Sequence, residues 1–321
     1  MKIHIIGTVT GEENEGMRNI STHLGREFER THTVTYSALR DIVSIVKNAP
    51  RADITFVFAR ATGKIYSVLR IAERFSKKLC MALVQKPDAL FIEKCRKRPP
   101  KCDYLCLTAS DAENLTLSEG KQIFPLSVGI DAEKFSPVTK NAAAKLKEKY
   151  GFDTRPVILH VGHLSSGRGL EDFLLLDPEK YNLLVVASGL FGNAQTEAAL
   201  IAHDVKIIKE YQPHINELYQ LADAYFFCTK STEFVINIPL SVMESLACGT
   251  AAVAFNSFPA LKSPTFAGGG IIFAKSTAEI PDLCALAVEI KSEKTYLAEA
   301  KTWNEVADKA LKNCAGGLSE K

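Results

Sequence analysis

Two stretches of this chain carry residue types that could bind and stabilise a phosphate-bearing group. The first is Gly162-His163-Leu164-Ser165-Ser166-Gly167-Arg168-Gly169, directly after an apolar run. Glycine lets backbone approach a ligand closely, and an arginine just before a helix N-terminus favours a phosphate. A plain strand-to-helix turn with a solvated arginine would read the same way. The second runs from Ser231 to Thr250. Pro239 suits the first turn of a helix and Gly249 the position just past its end. On that helix Leu240, Met243 and Ala247 form the apolar face, while Ser241, Glu244 and Cys248 recur at three to four residues on another face. Glu244 therefore points away from the core stripe, although Ser241 and Glu244 also have capping-box spacing.

These residues need a scaffold, and the chain reads as an alternation of short apolar runs and helical periods from end to end, the pattern of parallel sheets covered by helices. Strands are expected at Ile3 to Gly7, Thr33 to Tyr36, Ile54 to Phe58, Leu79 to Val84, Tyr104 to Thr108 and Gln122 to Leu126. A second series follows at Val157 to Gly162, Leu183 to Ala187, Val205 to Ile208, Ala224 to Cys228, Ala251 to Phe255 and Ile271 to Phe273. The clearest helix is Met17 to Arg30, with Met17, Ile20, Leu24 and Phe28 on one stripe. A polar helix, Asn141 to Tyr150, marks the boundary, and a last helical region, Glu293 to Asn313, carries the single Trp303. The fold class is α/β, with domains at 1–138 and 139–303 and an end helix at about 304–321. Neither half has a GxGxxG fingerprint after its first strand, which argues against a dehydrogenase.

The 321 residues, with 39 Lys+Arg against 37 Asp+Glu, exclude an overall nucleic-acid-binding charge. The start does not read as a secretory signal, and no apolar run reaches the roughly 18 residues needed to cross a bilayer, so the expectation is a cytoplasmic protein. The eight cysteines lie mostly in apolar runs, as buried thiols would. Cys95, Cys102 and Cys106 come nearest to a metal cluster, but no CxxC pair exists and no metal site is expected.

Four stretches in order resemble the retaining glycosyltransferases of the GT-B fold, group 1 or family 4-like. Phe124-Pro-Leu-Ser-Val-Gly129-Ile-Asp131-Ala-Glu-Lys-Phe135-Ser-Pro137 is like the family's "P-N-G-V-D-x-x-x-F-x-P", and Ile158 to Leu170 like "VGRLxxxKG". Asn216-Glu-Leu-Tyr-Gln-Leu-Ala-Asp223-Ala is like "ELYxxAD", and Pro239 to Val253 like "LLEAMACGTPVV". Ala300-Lys-Thr-Trp303-Asn-Glu-Val-Ala307 resembles the family's C-terminal helix, and Glu15-Gly16-Met17-Arg18 stands where the family has its first glycine-rich loop.

The resemblance implies two Rossmann-like domains facing each other across a cleft, with an end helix crossing back to the first. It implies transfer of a sugar from a nucleotide-sugar donor to a glycan, lipid-linked or small-molecule acceptor, with retained configuration, no cofactor and no metal. By position, Glu244 would hydrogen-bond the nucleotide ribose and Arg168 would neutralise the diphosphate, with Glu233 a further catalytic candidate. Gly16, Gly162, His163, Ile236, Asn237, Ile238 and Ser241 would join the donor site, the 236–238 amides facing the diphosphate, while Arg18 and Lys86 would lie on the acceptor side. The carboxylates of Glu12, Glu13 and Glu15 would face solvent or acceptor hydroxyls. Three positions depart from the family: Ile236 stands where its first glutamate belongs, His163 where arginine is usual, and Val84-Gln85-Lys86-Pro87-Asp88 lacks a histidine. They motivate an alternative, a degenerate binding or scaffolding subunit; a nucleotide-sugar epimerase on the same architecture is another.

Charge is unevenly spread. Residues 1–138 hold 21 basic and 16 acidic residues, and the rest 18 and 21. Between Arg70 and Lys101 ten basic residues face three acidic ones. That patch suits an anionic acceptor or peripheral contact with an anionic membrane, and equally a solvated helix face.

Overall fold

The computed structural model describes residues 1–7 and 16–316, apart from the side chains at 188–191 and 234. Glu12, Glu13 and Glu15 therefore lie outside the described residues. The strands are β1 (Lys2–Gly7), β2 (Thr33–Ser37), β3 (Ile54–Phe58), β4 (Leu79–Leu83), β5 (Asp103–Cys106) and β6 (Ile123–Pro125). They continue with β7 (Val157–Leu164), β8 (Asn182–Gly192), β9 (Lys206–Ile208), β10 (Ala224–Phe227), β11 (Ala251–Phe255) and β12 (Ile271–Ala274). Every expected strand forms, with ends shifted by a few residues. The helices are α1 (Gly16–Glu29), α2 (Ile42–Asn48), α3 (Gly63–Phe75), α4 (Ala89–Lys97), α5 (Lys140–Lys149), α6 (Ala194–Ala202), α7 (Ile215–Leu221), α8 (Leu240–Ala247), α9 (Ile280–Glu289) and α10 (Trp303–Ala315).

The chain divides into two compact units. Unit 1 comprises residues 1–129, 236–238 and 301–321; unit 2 comprises residues 130–235 and 239–300. Each holds one six-stranded parallel sheet, ordered β2-β1-β3-β4-β5-β6 in unit 1 and β12-β11-β10-β7-β8-β9 in unit 2. Parallel sheets are covered on both faces, which is why β3, β4 and β11 are buried at every position. Both orders have a point where the crossovers reverse direction, between β1 and β3 in unit 1 and between β7 and β10 in unit 2. Ligands of open α/β sheets bind beyond the strand ends at such points.

In unit 1, α1 buries Ile20, Leu24 and Phe28 as its stripe predicts. Beside it packs α10, whose Trp303 ring stacks on His23 with centroids 4.6 Å apart. Gly129 admits this ring: a Cβ there would lie 2.7 Å from the indole. Helix α10 is shorter than the sequence suggests. Residues 293–302 are not helical, because Tyr296 and Ala298 donate their amides to the carbonyls of Leu246 and Thr265. The helix begins where Thr302 and Glu305 form a reciprocal capping box.

In unit 2, Lys291 is half-buried and its ammonium donates to the carbonyls of Gln220 and Ala222 at the end of α7, and to Thr250 Oγ1 at 2.7 Å. This cation at a helix C-terminus satisfies carbonyls that would otherwise be orphaned. Burial still pulls it down to about 8.

All eight cysteines are free and buried. Burial pushes Cys95 up to about 11 and Cys106, Cys248 and Cys284 up to about 12. In the unfolded chain these thiols ionise near 9, so the native state binds more protons than the unfolded state above that pH. Their contribution to stability is complete below pH 9 and is lost as pH rises towards 11 to 12, by about 1.4 kcal/mol per pH unit for each thiol. Urea unfolding across pH 8 to 11 should show this loss, and Cys284→Ala should reduce the slope by about one proton; an unchanged slope would refute the assignment.

Candidate functional site

The unit 2 switch point is flanked by the segments after β7 and β10. Gly162 and His163 lie near the end of β7, and the turn that follows bends twice through left-handed glycines, Gly167 with φ +85 and Gly169 with φ +73. A Cβ on Gly169 would lie 2.5 Å from the Cys228 carbonyl, so only glycine lets this turn close against the end of β10. Between them, Arg168 is folded inwards and is only 5% exposed. Its guanidinium occupies the space a side chain at 162 would take: a Cβ there would meet Arg168 Nη2 at 2.5 Å and His160 Nε2 at 2.7 Å. The solvated-arginine alternative is thus excluded. Burial lowers the Arg168 pKa, an effect partly offset by Tyr225 and Cys228.

The helix expected to open at Leu170 is a six-residue 3-10 turn, Leu170–Leu175. Its brevity leaves little macrodipole to offer a phosphate, so the positive charge here is that of the side chain. Asp172, close in sequence to Arg168, is engaged by Lys230 at 2.7 Å.

Beyond β10 the chain returns to α8. Pro239 is its N-cap and no side chain caps it, so Ser241 and Glu244 do not form a capping box. Gly249, with φ +70, ends the helix as its spacing predicts; a Cβ there would sit 2.1 Å from the Ser292 carbonyl. Ser241 and Glu244 are half-buried, with Val242 and Met243 in the core. Beneath them lie two tyrosines. Tyr219 on α7 is fully buried against the Glu244 carboxylate, which with desolvation raises its pKa. Tyr225 on β10 donates its hydroxyl to the Val161 carbonyl at 3.2 Å and lies by Ser241.

Tyr219, Tyr225 and His160 support the site without having been among the expected residues. A polar His160 inside the buried run of β7, and a tyrosine in the "ELYxxAD" segment, were the available signals. Glu233 is exposed on a short 3-10 turn, its amide held by Ser231 Oγ at 3.2 Å.

The remaining candidates belong to unit 1. Gly16 opens α1 against Ile236, whose Cδ1 would lie 2.9 Å from a Cβ at 16. The Asn237 amide donates to the Val84 carbonyl at 3.1 Å, so of the 236–238 amides expected to face a diphosphate this one is already engaged. Its side chain donates to Asp111 and to Thr108 Oγ1. Asp111 is buried, and desolvation raises its pKa. Ile238 and Arg18 are half-buried. Lys86 is exposed and borders a shallow surface dip with Pro87, Ser110, Asp111 and Asn114. Asp88, two residues on, is structural: it caps α4 through the Phe91 amide at 2.6 Å and accepts from the Gly63 amide at 3.3 Å.

Several of the basic residues from 70 to 101 are already paired. Arg70 meets Glu73 at 2.6 Å, Lys97 meets Glu93 at 2.6 Å, and Lys94 donates to the Gly63 carbonyl at 2.8 Å. Arg74, Arg96, Arg98 and Lys101 are exposed. Among the described residues, no group of three or more His, Cys, Asp or Glu side chains could hold a metal ion, and no helix is long and apolar enough to cross a membrane.

Residues 143–302 match the family model "Glycosyl transferases group 1". The chain is similar to a GDP-mannose-dependent monoacylated alpha-(1-6)-phosphatidylinositol monomannoside mannosyltransferase of Corynebacterium glutamicum, 26% identical over 171 residues. That match spans 49% of this chain and 45% of the relative. Among solved structures, HepE of Anabaena in complex with UDP and glucose superposes with a TM-score of 0.70 at 13% identity, covering 98% of this chain and 95% of that one. A glycosyltransferase of Rickettsia africae gives 0.72 at 14% identity, covering 100% and 99%. Residues 143–302 are thus similar to the group 1 glycosyltransferases, and the two sheets have the GT-B fold.

Proposed function

We propose that this protein is a retaining glycosyltransferase that takes its sugar from a nucleotide-sugar donor bound at the β7/β10 switch point of unit 2. The observation that carries this reading is the Arg168 guanidinium, buried over Gly162 where a phosphate could reach it. A guanidinium held in place is well matched by a phosphate, whose oxygens can accept two parallel N–H bonds from it. As the glycosidic bond to the leaving nucleoside diphosphate breaks, negative charge grows on the phosphate oxygens, and a fixed guanidinium stabilises that charge more than the ground state. The proposed chemistry requires no cofactor and assigns this task to the arginine instead of a metal. Glu244 would accept from a ribose hydroxyl, with Tyr219 and Ser241 around it.

The solved HepE complex contains UDP and glucose, and the Corynebacterium relative is GDP-mannose-dependent. Both agree with a nucleotide-sugar donor here without choosing the base. For the acceptor we propose a glycan, lipid-linked or small molecule taken up on unit 1, with Arg18 and Lys86 offering cations to an acidic one. A lipid-linked acceptor would suit a protein that visits an anionic membrane surface through Arg96, Lys97 and Arg98.

Titration with UDP-, GDP- and ADP-sugars should find one donor that binds. Arg168→Ala should weaken it about 10- to 100-fold, as loss of a hydrogen bond to a charged group does. With acceptor present, NMR should show a glycoside of retained anomeric configuration. Failure of all three donors, or an epimerised sugar formed without acceptor, would overturn the reading.

Binding to anionic vesicles should fall with added salt and weaken when Arg96, Lys97 and Arg98 become alanine, since each exposed cation near such a surface contributes about 1 kcal/mol. Sedimentation with neutral and anionic vesicles measures this. Binding unaffected by the triple substitution would remove the membrane contact.

A further inference from the structure

His160 is a buried polar side chain that the proposed chemistry leaves without a task. It lies on β7 two residues before Gly162, is 0% exposed, and is enclosed by Phe173 and Tyr225, with ring centroids 6.3 and 6.1 Å away. Its Nδ1 stands 2.9 Å from the Phe226 carbonyl. A carbonyl only accepts, so Nδ1 carries the proton and Nε2 presents a lone pair. That lone pair is buried and has no hydrogen-bond partner among the described residues. It is aimed at the space over Gly162 that Arg168 Nη2 also borders. Burial, and then the Arg168 charge, push His160 down to about 3, so the ring stays neutral at physiological pH. A guanidinium can only donate and a neutral Nε2 can only accept, which makes the two groups complementary.

We propose that His160 is the positioning residue for Arg168: when a donor diphosphate binds, Nε2 accepts a guanidinium N–H across the space over Gly162, and the other N–H groups are directed at the diphosphate. An acceptor without charge suits this task. A carboxylate in the same place would neutralise the guanidinium and compete with the phosphate, whereas imidazole holds the fork and leaves its charge to the ligand. The buried Nε2 then gains a partner, and Gly162 is required because any side chain there would separate the two groups. This inference rests on the donor-site reading and extends it from the group that touches phosphate to the group that aims it.

The test compares a nucleoside with its diphosphate, using whichever base the wild-type protein binds. Arg168 and His160 should serve only the phosphates, so His160→Phe should weaken diphosphate binding about tenfold and leave nucleoside binding within twofold. His160→Gln, whose carbonyl oxygen reaches close to the Nε2 position, should restore most of the loss. In a double-mutant cycle, His160→Phe should cost little once Arg168 is alanine. Equal weakening of nucleoside and diphosphate by His160→Phe would mean that the ring merely fills the core, as would full additivity with Arg168→Ala. If the wild-type protein binds neither compound, the donor-site reading itself fails; diphosphate binding unaltered by His160→Phe overturns the positioning role alone.

Discussion

A guanidinium that is 5% exposed sets the terms for the end of the unit 2 sheet. Placing it there needs a glycine beneath it on β7, left-handed glycines on either side to fold the turn inwards, and the close of that turn against the end of β10. Each requirement is steric and each is met by a specific residue, so the turn from Gly162 to Gly169 is shaped around its arginine. A less buried arginine would be screened by water, which would weaken the proposed stabilisation of a departing phosphate. Leu170, Phe173 and Phe226 are buried in one hydrophobic core.

The same sheet supplies the rest of the candidate site. The strand order of unit 2 brings β7 next to β10, so the turn after one strand and the helix after the other belong to a single switch point although more than sixty residues separate them in sequence. Tyr219 and Tyr225 form a buried layer with ring centroids 5.9 Å apart, Tyr219 near Glu244 and Tyr225 near Ser241. The half-buried Lys291 fastens the end of α7, which carries Tyr219. Helix propensity alone would not hold an eight-residue α8 in place; its packing does.

Much of the architecture was legible in the sequence, because parallel strands buried on both faces leave continuous apolar runs and helices leave a three-to-four-residue stripe. Gly249 and the Trp303 helix were readable for the same local reasons. What local pattern could not reveal was how the turns close. The shortness of the helix at Leu170, the inward fold of Arg168 and the capture of the Asn237 amide by Val84 all depend on residues far away in the chain. The end helix starts ten residues later than Glu293 because the tertiary hydrogen bonds of Tyr296 and Ala298 override a sequence compatible with helix. A histidine inside a strand has no periodic signature, and the significance of His160 lies in one lone pair.

The claim on which the account turns is that a nucleoside diphosphate lies over Gly162. A crystal structure of the protein soaked with the nucleoside diphosphate it binds tests this directly. The account predicts a phosphate oxygen within hydrogen-bond distance of the Arg168 guanidinium and a ribose hydroxyl within hydrogen-bond distance of Glu244. A diphosphate bound elsewhere, with Arg168 and Glu244 untouched, would contradict it.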